Sequence, residues 1–181
     1  DERVVVFYDA LGCGKSDAPE AAENYTLDRA RDDLEALQTK LALPRVVLIG
    51  HGTGGWVALA HALRNPARVA GVVLCGSSPA SEVQAAAEAA NLAALPGGDA
   101  RAYFRTYQCR LAEPPDWLEP LESATAANRA HRTMVGPDRV RIAGSWAAFD
   151  VRGRLREIAV PGFVTCGQYR SEEHTSELQS H

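Results

Sequence analysis

Apolar residues bunch along this chain in two ways. Three unbroken runs, Arg3–Asp9 (RVVVFYD), Arg45–Gly50 and Ala70–Cys75, lack the apolar–polar alternation of a half-exposed strand and predict strands buried on both faces. Between them the spacing changes. Leu27, Ala30, Leu34, Leu37 and Leu41 recur at helical intervals behind Thr26, a residue suited to capping a helix start. Gly55–Asn65 also reads as helix and stops before Pro66. Strand, helix, strand, helix, strand predicts an α/β protein with a parallel sheet. Ala10–Glu20 is rich in Gly, Asp and Pro and reads as a loop. From Pro79 to about Val140 the pattern becomes alanine-rich and aromatic, broken by Pro96-Gly97-Gly98 and Pro114-Pro115, which predicts a helical insertion; Ala159–Gly167 (AVPGFVTCG) returns to strand character. No internal repeat is evident.

Composition changes this picture little. The 181 residues suffice for one domain with a real core. A hydrophobic share of 46%, a charged share of 23% and a net charge of −4 suit a globular protein and give no footing for nucleic acid or an anionic membrane. The longest apolar runs are too short to span a bilayer. No basic segment followed by an apolar one opens the chain, which starts at Asp1 and not Met. Cys13, Cys75, Cys109 and Cys166 are far apart in sequence, with neither zinc spacing nor a disulfide framework. They predict small buried thiols in a reducing, cytoplasmic setting. The last twelve residues, RSEEHTSELQSH (Arg170–His181), resemble the translation of a common sequencing-adapter oligonucleotide and share no periodicity with what precedes them. They are set aside as non-native, and His174 and His181 drop out as catalytic candidates with them.

Two glycine-rich loops follow strands. Leu11–Ser16 (LGCGKS) invites a phosphate-loop reading, but the first glycine of that motif belongs at position 9, where Asp9 stands. A carboxylate there repels phosphate, and Asp17-Ala18-Pro19 interrupts the helix that would face the anion. Gly12 and Gly14 then serve a tight turn, with Asp9 and Asp17 bonded to loop amides. The second loop, Gly50-His51-Gly52-Thr53-Gly54-Gly55, joins a predicted strand to a predicted helix, the setting of a nucleophile elbow, G-x-S-x-G. The outer glycines let strand and helix approach, and the central residue sits in a strained conformation that lifts its side chain above the sheet. Gly52 holds that central position. It meets every steric demand of the corner and none of the chemical ones. The backbone N–H of Thr53 is the candidate oxyanion donor.

On these loops and their neighbours the chain resembles the α/β-hydrolase superfamily, and within it the prolyl aminopeptidases (proline iminopeptidases). FYDALGCGKSD, YTLDRARDDLEALQTKLAL, LIGHGTGGWVALAHALRNPARVAGVVLCGSSPA and HRTMVGPDRVRIAGSWAAFDVRGRLREIAVPGFVTCGQY carry the likeness. It implies an α/β-hydrolase fold fragment: a partial core over residues 1–78, a helical cap over 79–140, a return to a core strand over 141–169, and the non-native tail over 170–181. It implies a further strand lying between Arg3–Asp9 and Arg45–Gly50. It also implies hydrolytic release of N-terminal proline from small peptides, in which serine attacks, histidine acts as base and aspartate orients the histidine, with no metal or organic cofactor. Against that pattern, the serine position is Gly52. The family's aspartate follows the turn at Tyr169, where Arg170 stands; its histidine lies further on, and its His-Gly-Gly-Pro-Gly oxyanion loop would precede residue 1. Asp138 and Arg139 stand where the family often carries a cap glutamate. His51 is structural in the family, and His61 and His131 read as ordinary core or surface residues. The expectation is a fold built for acyl transfer but catalytically inert, with an esterase or amidase of the same fold, or a non-catalytic ligand binder, as alternatives.

Overall fold

In the computed structural model, described over residues 3–98, 100–136 and 142–167, the order of elements follows the change from unbroken to helical spacing. Helix α1 spans Leu27–Lys40, strand β1 Val46–His51, helix α2 Thr53–Arg64 and strand β2 Val69–Cys75. Helix α3 runs over Ser81–Ala93, and α4 over Ala100–Tyr103 continues into a π-helical turn at Phe104–Gln108. Helices α5 (Leu118–Ala127) and α6 (Arg129–Met134) follow, and β3 (Gly162–Thr165) ends the described chain. Residues 168–181, and with them Tyr169, Arg170 and the adapter-like tail, lie outside the described residues, as do Asp138 and Arg139.

The three strands form one parallel sheet in the order β1-β2-β3, with Leu48 opposite Val72 and Leu74 opposite Val164. Helix α2 lies across one face and buries Leu48, Val72 and Leu74 beneath Trp56, Leu59 and Ala62. Trp56 is fully buried. It stacks on Phe149 at 5.1 Å between ring centres and tilts against Trp146 at 6.5 Å, which ties α2 to the chain returning from the helical region. Ser81 strengthens that tie, its hydroxyl donating to the Ala147 carbonyl at 2.6 Å. Helix α1 begins where its cap predicts, the Thr26 side chain accepting from the Arg29 N–H at 3.1 Å. Its buried stripe ends differently from the leucine spacing: Gln38 is buried and Leu41 is exposed.

Two expectations are corrected. Arg3–Asp9 is not a strand buried on both faces. It pairs with no strand among the described residues and leaves Phe7 92% exposed. An unbroken apolar run states that a segment needs neighbours on both sides; it does not supply them. The same reason applies to β1, expected to be buried on both faces: among the described residues it lies at the edge of the sheet and only one face is covered, with Val47 51% and Ile49 69% exposed. The four cysteines are free, as expected, but each is half-buried and none is in the core.

Candidate active site

The chain leaves β1 at His51, turns on Gly52 and enters α2 at Thr53. Gly52 sits at φ +54°, ψ −125°, outside the regions an L side chain adopts without strain. The corner is tied down on both sides. The Gly52 N–H donates to the Cys75 carbonyl at the end of β2 (3.0 Å), and the Gly52 carbonyl accepts from the Gly55 N–H (3.0 Å) and the Ser77 hydroxyl (2.5 Å). A Cβ built on Gly52 meets nothing within 4 Å, so the apex points into open space.

Which glycines the corner needs for closeness differs from the motif's spacing. A Cβ on Gly50 would come within 2.5 Å of the Gly55 Cα, and one on Gly55 would run into Ser77. Gly54, the outer glycine of the motif, has nothing around it. Strand and helix therefore close on Gly50 and Gly55. Neither Ser77 nor Gly55 was marked as a site residue by the sequence. Ser77 lies 25 residues beyond Gly52 in a loop with no motif of its own.

The Thr53 N–H is the first of α2 and has no carbonyl a turn earlier in the helix to bond. Among the described residues it takes no acceptor. Beside it opens a cavity of about 730 Å³ that reaches from the end of β1 to α6, with Asp9, Cys13, His51, Thr53, Asn128 and His131 in its wall. Cys13 is the thiol of that wall. Burial, with the Asp9 charge beside it, pushes its pKa up, so it rests as a thiol and not as a nucleophilic thiolate. Asn128 bridges the two sides: its Oδ1 accepts from the His131 N–H and caps α6, and its Nδ2 donates to the Gly12 carbonyl at 2.9 Å.

The first glycine loop has no room for phosphate. The Asp9 carboxylate accepts from the Lys15 N–H at 2.9 Å and lies where a Cβ on Gly14 would stand; the Ser16 hydroxyl donates to the Asp9 carbonyl at 2.7 Å. No helix starts at Lys15 or Ser16. His61 stands apart from the site, fully buried between α2 and α1, with Nε2 3.1 Å from Gln38 Oε1.

A parallel sheet, a strand ending in a positive-φ corner, and a helix running back from it define the α/β-hydrolase class. The chain belongs to the Alpha/beta hydrolase family, whose sequence profile matches residues 1–179. It is similar to the proline iminopeptidase of Heyndrickxia coagulans, 29% identical over 93% of this chain and 66% of that one. It is also similar to a putative carbamate hydrolase, RutD, of Variovorax paradoxus, 36% identical over 88% of this chain and 61% of that one. Among solved structures, the proline iminopeptidase of Mycobacterium smegmatis superposes with a TM-score of 0.83 at 22% identity, over 96% of this chain and 67% of that one. The chain thus spans about two thirds or less of the curated relatives it matches. No helix among the described residues is long and apolar enough to cross a membrane.

Proposed function

We propose that this chain is the elbow-bearing part of a serine hydrolase of prolyl-aminopeptidase type, shaped for acyl transfer and inert with glycine at position 52. The observation that carries the reading is the geometry of Gly52: a strained φ, ψ pair, an apex facing open space, and an adjacent Thr53 N–H with no acceptor among the described residues. In this reading a serine at 52 presents its hydroxyl to a substrate carbonyl, and the Thr53 N–H receives the oxyanion as the tetrahedral intermediate forms. Glycine offers no oxygen, so no acyl-enzyme forms. The substrate is a small peptide with a free N-terminal proline, held in the cavity under α5 and α6, in a cytoplasmic setting and without metal or organic cofactor.

The test is release of 4-nitroaniline from proline 4-nitroanilide. The chain with Gly52 gives none, and Gly52→Ser in the full-length gene product restores turnover by about a millionfold, the scale lost when a triad serine is removed. Turnover by the Gly52 chain that a serine-directed inhibitor abolishes would overturn the reading. A second reading, hydrolysis of another acyl class such as a carbamate, ester or amide, draws on the 36% identity with the putative carbamate hydrolase. A panel of such substrates offered to the Gly52→Ser protein separates the two.

A further inference from the structure

The direction of the Thr53 N–H is fixed from a distance. Residues 52 and 53 share one planar peptide unit, and no cis peptide occurs among the described residues. In a trans unit the carbonyl of one residue and the N–H of the next point in opposite directions. Whatever holds the Gly52 carbonyl therefore aims the Thr53 N–H. Among the described residues two donors hold it: the Gly55 N–H, as in any first helical turn, and the hydroxyl of Ser77, 2% exposed in the loop after β2. The second is the shorter bond, at 2.5 Å against 3.0 Å.

The hold matters more here than at an ordinary helix start. Glycine at 52 has little steric resistance to rotation about its own ψ. A counter-rotation of ψ at 52 and φ at 53 turns the peptide over, sending the carbonyl outward and the N–H inward. Turned that way, the site offers a lone pair where the oxyanion needs a donor. A Cβ on Gly55 would run into the Ser77 side chain, so the hydroxyl reaches the Gly52 carbonyl only because residue 55 is glycine.

We infer that Ser77 is a positioning residue: its hydroxyl clamps the Gly52 carbonyl and so keeps the Thr53 N–H turned outward as an oxyanion donor. The inference rests on the hydrolase reading for the donor's purpose, but the clamp itself is a matter of geometry.

The nuclear Overhauser effect between the Thr53 and Gly54 amide protons, read on the full chain, reports that geometry directly. With Thr53 in helical conformation the two protons are neighbours; turning the 52–53 peptide over carries the Thr53 proton to the far side. In Ser77→Ala that effect weakens severalfold, while the amide–amide effects from Val57 to Leu63 hold. In Ser77→Thr, which keeps the hydroxyl, it returns. Ser77→Cys, near in volume and weak as a donor, repeats the alanine arm should the alanine chain not fold. A Thr53–Gly54 effect unmoved by loss of the hydroxyl would show that Gly55 alone suffices and overturn the clamp. So would effects that weaken along all of α2 and are not restored by threonine, since that marks general packing. A failed nitroanilide assay leaves these effects untouched, so the two ideas fail separately.

Discussion

At the scale of the residue, Gly52→Ser puts a Cβ at φ +54° and costs about 1–3 kcal/mol from backbone strain alone, since the space beyond is free. Gly50→Ala costs more, because its Cβ overlaps the backbone of Gly55. Urea unfolding of the two variants gives the order. The break in G-x-S-x-G shows in the sequence because the motif marks the position by its neighbours; what holds the corner, a hydroxyl 25 residues on and a glycine the motif does not count, carries no such mark. His61 supplies a pH dependence. Gln38 donates its amide N–H to the Arg68 carbonyl, which turns its own oxygen toward His61. His61 Nε2 is then the donor, and Nδ1 is buried without a partner. Protonation would place a second N–H there with nothing to accept it. Burial pulls the folded pKa below its ordinary value; the Glu35 charge, next in size, pulls it upward, and the Arg68 and Arg31 charges pull it down again. Below about pH 6.5 the unfolded chain takes up a proton that the folded chain refuses, so stability falls as pH drops through that value and is flat above it. Urea midpoints between about pH 7.5 and 5.5 show the slope, and His61→Gln removes it.

At the scale of the element, the first half of the chain could be read because its signals are local. Thr26 announces α1, and Pro66 closes the helix before it. The helical region after Pro79 could be assigned a type but no internal plan, since alanine-rich segments give a weak apolar stripe and the π-helical turn at Phe104–Gln108 has no sequence mark. Asn128 shows how that region is fastened. One side-chain oxygen caps α6 and one side-chain nitrogen reaches the Gly12 carbonyl. Asn128→Asp keeps the cap and loses the donor; Asn128→Ala loses both, including a cap worth about 1 kcal/mol. Amide exchange in Ala10–Ser16 rises in both variants, and exchange in α6 rises in Asn128→Ala alone.

At the scale of the whole molecule, periodicity gave the parallel sheet but not its borders. Strand β1 is an edge, and Ile49, Val73 and Phe163 line up across the face of the sheet opposite α2, with Ile49 and Phe163 largely exposed. Parallel sheets are ordinarily covered on both faces, and an uncharged edge strand is a template for another chain. Concentration-dependent association follows. Ile49→Lys reduces it in sedimentation velocity while the far-ultraviolet circular dichroism stays as it was. The corner at Gly52 has a consequence of another kind. Its shape is imposed by bonds from β2 and its loop, not by the residue that occupies it, so the contour stands whether or not that residue carries an oxygen. On the reading proposed above, a hydroxymethyl group added there meets a mould already cast, and the proton relay it needs comes from residues the elbow does not carry.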